Sequence, residues 1–140
     1  MKKLYYSALV YMILGVVGGL YYRDLTKLND FAGETQLAVV HTHLLVLGMV
    51  FFLVMVLFER TFQLTRSKLF GWFFWTYQAG LILTVGMLTL HGTMTVLGNK
   101  TGPAIAGIAG LGHILLTVAL VLFFLCLRRR LFPAKGQAPA

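Results

Sequence analysis

Charged residues interrupt this chain in only a few places. Between them lie Leu4–Tyr22, Thr35–Phe58, Leu69–Asn99 and Thr101–Leu127, four runs without a single Lys, Arg, Asp or Glu that fill more than two thirds of the 140 residues. A helix crossing a bilayer needs roughly 20 mostly apolar residues. Each run therefore predicts one spanning helix, at about 4–22, 36–58, 70–97 and 104–127. The connections are short: Arg23–Glu34 is mixed in charge, Glu59–Lys68 is polar, and Gly98–Pro103 is a tight turn whose Gly102-Pro103 can start the last helix. Successive helices joined this closely run antiparallel. The expected fold is all-α and integral to the membrane: an up-and-down bundle of four transmembrane helices, one domain over 1–132. The polar tail 133–140 is expected to be disordered and cytoplasmic.

Composition agrees with the pattern. Hydrophobic residues make up 59% and charged residues 11%, against about 45–50% and 25% in ordinary globular chains, and the mean hydropathy is +0.83. These values exclude a soluble enzyme, and the single Cys126 excludes a disulfide scaffold. The net charge of +8 is unevenly placed. Nine of the twelve basic residues (Lys2, Lys3, Arg60, Arg66, Lys68, Arg128, Arg129, Arg130, Lys135) fall on one side of the predicted membrane, and Arg23, Lys27 and Lys100 on the other. That bias is the positive-inside pattern and puts both termini in the cytoplasm. The basic excess reads as topology and contact with anionic membrane lipids, not as a nucleic-acid surface. Met1-Lys2-Lys3 before an apolar run could open a secretory signal, but Gly15–Arg23 lacks an A-x-A-like site, so an uncleaved first helix is expected.

Two sets of small residues mark close helix approach. Gly15 and Gly19 form a GxxxG pair, and Gly102, Ala106 and Gly110 repeat the spacing in the fourth span. Such faces serve helix packing or leave room for a flat cofactor.

All four histidines, His41, His43, His91 and His113, fall inside predicted spans, where an ionisable residue is costly and a functional candidate by default. At 1.5 Å per residue they lie within roughly 8–14 Å of the outer surface, so three antiparallel helices deliver them to one slab. In His41-Thr-His43 the rings stand about 200° apart around the helix axis. They suit two sites flanking the helix better than one shared ion. Met87 and Met94 share a face with His91 and read first as core filling. His113 has Ala109 and Gly110 on the preceding turn, which leaves space beside its ring. The plain structural alternative is a neutral imidazole bonded to a carbonyl or to Thr42, Thr89, Thr93 or Thr117. Imidazole without carboxylate or thiolate suits haem iron, copper or zinc. Haem b fits the H-x-H arrangement best, because iron takes one imidazole from each side of the ring plane. Arg23, Lys27 and Lys100 at the outer rim could meet its propionates.

The segment Val39-Val-His-Thr-His-Leu-Leu-Val-Leu-Gly48 resembles the haem-ligand helices of the haem-copper oxidase and nitric oxide reductase catalytic subunits. In that family Leu-His-Thr-Asn-Leu-Leu is one form of the low-spin haem motif, and an H-x-H on another helix binds two haems, one on each side. The catalytic subunit is built from three four-helix arcs, with the haem-ligand helix second in each. The whole chain looks like one such arc, and its pattern is also similar to a small bacterial family of four-helix membrane proteins. The resemblance implies His41 and His43 as haem ligands across the interfaces of a homotrimer in a bacterial plasma membrane. There are departures. The family's second metal is held by three His including an adjacent pair, whereas the third span here has His91 followed by Gly92, and the reductase glutamates are absent from the spans.

Identical subunits make identical sites, and iron held by two imidazoles has no position for oxygen or NO. The expectation is therefore electron transport, redox or gas sensing, or haem handling, with an unknown electron donor. A complete haem-copper centre is not evident, which leaves an oxidoreductase activity open. His91 and His113 could serve as auxiliary ligands or a second metal site, with copper as one occupant. The competing readings are a small metal-ion channel or transporter with a histidine ring, and a non-catalytic partner of a respiratory complex.

Overall fold

Hydrocarbon offers no partner for a backbone N–H or C=O, so a chain of this composition must satisfy its backbone within helices. The structure, a computed structural model, describes residues 1–100 and 102–132, without the side chains of Pro103, Ala104 and Ala106. Lys135 and the tail 133–140, expected to be disordered, lie outside the described residues. The first span is Lys2–Leu28, the second Gln36–Phe62, the third Lys68–Val96 and the fourth Pro103–Leu131. All four are long and apolar enough to cross a membrane, and no strand occurs among the described residues.

The boundaries follow local chemistry. Nothing between Tyr22 and Leu28 breaks a helix, so the first span runs on and takes Arg23, Asp24 and Lys27 out of the expected loop. Thr35 caps the second span by accepting from the Leu37 amide at 3.2 Å, and Ser67 caps the third by accepting from Leu69 at 3.3 Å. Gln63, left-handed at φ 50°, ends the second span. The turn after it is closed by Glu59, which is 7% exposed and whose carboxylate accepts from the Thr65 amide at 2.8 Å and from the Thr65 hydroxyl.

Contacts at both ends show the up-and-down register. Lys3 lies 4.6 Å from the Phe74 ring, and Arg130 donates to the Gln63 carbonyl at 3.1 Å, at the end carrying the termini. At the distal end Tyr21 bonds Thr93 at 3.0 Å and Thr35 donates to the Gly92 carbonyl at 2.9 Å. The first span packs along the second, and the fourth along the third. In the terminal half an aromatic cluster locks the bundle. Phe51 stacks on Tyr77 at 4.3 Å, Phe123 meets Phe73 at 5.5 Å and Phe58 at 5.7 Å, and Tyr11 stacks on Phe52 at 5.8 Å. Dispersion in such contacts holds helices together where water is absent. Gln78, deep in the third span, adds polar bonds: it donates to Ser7 at 2.9 Å and accepts from the Tyr11 hydroxyl.

The small residues divide in an unforeseen way. Gly15 is a packing glycine, since a Cβ there would sit 2.6 Å from Leu45. Gly102 and Gly110 have nothing within 4 Å, and the side chain of Ala106 lies outside the described residues. The third and fourth spans cross instead through Gly80 and Gly112. A Cβ on Gly80 would meet the Leu116 nitrogen at 2.9 Å, and one on Gly112 would overlap the Thr84 hydroxyl. Which face of a helix meets its neighbour depends on its rotation, and residue spacing alone does not set that.

Candidate cofactor site

The second span, which carries His41 and His43, is not a uniform α-helix. It opens as a 3-10 turn at Gln36–Val39 and is α-helical over Val40–His43. It then widens to π-helix at Leu44–Val50 and returns to α at Phe51–Phe62. Changes of pitch in a helix mark strain or a functional position. Two neighbours accommodate the wide segment. Tyr11 presses on Gly48 so closely that a Cβ there would lie 2.5 Å from its own. The Phe51 amide is directed at the Val46 and Gly48 carbonyls and bypasses that of Leu47, which accepts from the Tyr77 hydroxyl at 2.9 Å. A tyrosine from the third span thus satisfies a carbonyl of the wide turn.

His41 turns toward the first span, where a Cβ on Gly19 would lie 3.7 Å from its Cβ. Its Nδ1 is buried and has no hydrogen-bond partner. Arg23 follows Gly19 by one helical turn and is exposed at the distal rim, as is Lys100 in the turn between the third and fourth spans. His43 lies on another side of the helix, on a face shared with Val39, Val46 and Val50, of which Val46 is 56% exposed. Its Nδ1 is 2.8 Å from the Val39 carbonyl, one turn back. A carbonyl only accepts, so Nδ1 carries the proton and the lone pair is left on Nε2.

His113 repeats this arrangement, with Nδ1 donating to the Ala109 carbonyl at 3.1 Å. It lines a cavity of about 260 Å³ together with His91, Met87, Gln36, Ala109 and Gly110. The space beside its ring comes from Ala109 and Gly110, as their size implies. His91 is brought there by its neighbour Gly92, on which the start of the second span rests: a Cβ at Gly92 would lie 2.8 Å from the Leu37 Cα. That close approach also delivers Gln36, which sequence reasoning missed because a polar residue at a helix start reads as an interfacial cap. Met87 lines the cavity and Met94 does not.

The threonines offered beside a carbonyl as partners for the rings go elsewhere. Thr42 donates to Val39, Thr89 to Val85 and Thr117 to the His113 carbonyl, while Thr93 pairs with Tyr21. Two imidazoles, His43 and His113, are thus anchored by a main-chain carbonyl, and none of these four threonines is bonded to their rings. A ring nitrogen fixed on a carbonyl, with the other open, is the usual state of a histidine that ligates a metal. The structure brings His91 and His113 together and leaves His41 and His43 in separate surroundings. Among the described residues no three His, Cys, Asp or Glu side chains converge.

No curated protein and no solved structure matches the chain. The model of the family described as "Protein of unknown function (DUF2871)" matches residues 1–130, a stretch that includes all four histidines, and the chain belongs to that family.

Proposed function

We propose that this protein binds haem b through His43 and His41 as a homo-oligomer, a homotrimer, in a bacterial plasma membrane, with both termini cytoplasmic. Its work would be electron transfer, redox or gas sensing, or haem handling. The observation that carries the reading is His43: an imidazole with its tautomer fixed by the Val39 carbonyl, on a face of exposed valines. Facing lipid, an imidazole with an open nitrogen is costly. A planar apolar macrocycle whose iron takes that nitrogen removes the cost and fits a smooth valine face. The unpartnered Nδ1 of His41, toward the first span, supports a second ligand.

These residues fit the group on chemistry. His43 would hold iron through Nε2, and His41 would serve a haem on the opposite side of the helix, which calls for a neighbouring subunit to complete each site. Arg23 and Lys100 would neutralise propionates at the rim. Haem bound in this way supplies reversible one-electron transfer. The likeness of Val39–Gly48 to haem-copper oxidase ligand helices supports the same assignment. A histidine-lined transporter finds less support, because the second span changes pitch without unwinding and such transporters use broken helices.

The test is an absorption spectrum with metal analysis on protein purified from a haem-replete host. A Soret band that shifts on dithionite reduction, and that His43→Ala abolishes or converts, is expected. Colourless protein that passes copper or zinc into liposomes would overturn the reading in favour of a transporter.

A further inference from the structure

The cavity between the third and fourth spans is not needed by the haem reading, and its lining is unusual for a membrane interior. His91 and His113 from different helices, together with Met87 and Gln36, line about 260 Å³ of space beside the small residues Ala109 and Gly110. Ligand pockets for larger molecules run from about 300 to 1,000 Å³, so this one is smaller than a macrocycle needs. It is large enough for an ion. The ring of His113 is fixed by the Ala109 carbonyl with its Nε2 lone pair available, as in histidines that ligate metals.

We infer that His91, His113 and Met87, with Gln36 beside them, form a binding site for one monovalent soft cation, copper(I). The argument for its identity is charge. Among the described residues no carboxylate or thiolate lines the cavity, so none of them cancels the charge of an ion. The cost of moving an ion from water into low dielectric rises with the square of its charge, so an uncompensated divalent ion is far more costly than a monovalent one. Zinc, usually charge-compensated by thiolate or carboxylate, or held by three or four imidazoles, is disfavoured. A thioether beside imidazoles selects copper(I) among the common biological metals. The site is assembled by the approach of Leu37 to Gly92, which carries Gln36 over the His91 turn. It is thus a product of the fold and not of one helix.

The site is independent of His43, and the experiment keeps the two apart. Full-length protein in detergent, prepared as wild type and as His43→Ala, is titrated anaerobically with copper(I) against a chromophoric competitor, and separately with zinc(II). The expected result is one tight copper(I) equivalent per chain in both proteins, no tight zinc, loss of the equivalent in His113→Ala and at least tenfold weaker binding in Met87→Leu. X-ray absorption on the wild type should show nitrogen together with one sulfur around copper, which does not depend on any variant folding. Tight binding retained in His113→Ala, a sulfur-free shell, equal affinity for zinc, or no tight equivalent in the wild type would each overturn the assignment.

Discussion

A histidine ring has two nitrogens to place, and at His43 and His113 the helix takes care of one. The carbonyl four residues back accepts from Nδ1–H in both, so both should carry a proton on Nδ1 in metal-free protein. Nitrogen-15 spectra of histidine-labelled protein would show this, and an unprotonated Nδ1 at either position would contradict it. The sequence placed both histidines in the membrane and offered a carbonyl or a nearby threonine as the ring's partner. The carbonyl is the one used, because a threonine hydroxyl in a helix reaches its own preceding turn first, as Thr117 and Thr42 do. Glycine gives a second prediction at this scale. Gly92→Ala places a Cβ against the backbone of Leu37, whereas Gly86 has nothing within 4 Å. Overpacking of this kind costs about 1–3 kcal/mol. Thermal unfolding in detergent should show Gly92→Ala clearly destabilised and Gly86→Ala close to wild type.

The helices were legible as elements because the charge-free runs are long and the caps conventional. The pitch of the second span was not. A hydrophobic run such as Leu44–Val50 contains no Pro and no polar break, and hydropathy is the same whether a turn closes on four residues or five. What determines the wide turn lies on other elements, in Tyr11 against Gly48 and Tyr77 on the Leu47 carbonyl. Tyr77→Phe removes one partner of that bond and leaves a buried carbonyl short, at a cost of about 1–3 kcal/mol. The expected outcome is faster amide exchange confined to residues 44–52, read by mass spectrometry on intact and fragmented protein. Unchanged exchange there would mean that the segment keeps its pitch without the tyrosine. The crossing at Gly80 and Gly112 was hidden for the same reason: a small residue has meaning only once its partner helix is in place.

For the whole molecule, the charge distribution makes the clearest forecast. A reporter active only in the cytoplasm, fused after Phe132, should be active, and one inserted at Asn99 in the turn between the third and fourth spans should be silent. The reverse result would invert the orientation inferred from the basic residues. The same four helices are also built in two grades. Toward the termini they are filled by Phe51, Phe52, Phe73, Phe123 and Tyr77, all in ring contact. Toward the distal end they offer glycine seats, changing pitch and a void. Local opening follows the density of such contacts, so the chain should not melt as one block. By this forecast the aromatic half should stay closed while the histidine half opens, and an occupant entering there would need no unfolding to get in. It would also leave a mark: by mass action, whatever binds the open half raises its melting point toward that of the closed half. A chain that melts in two steps when empty would then melt in one when filled.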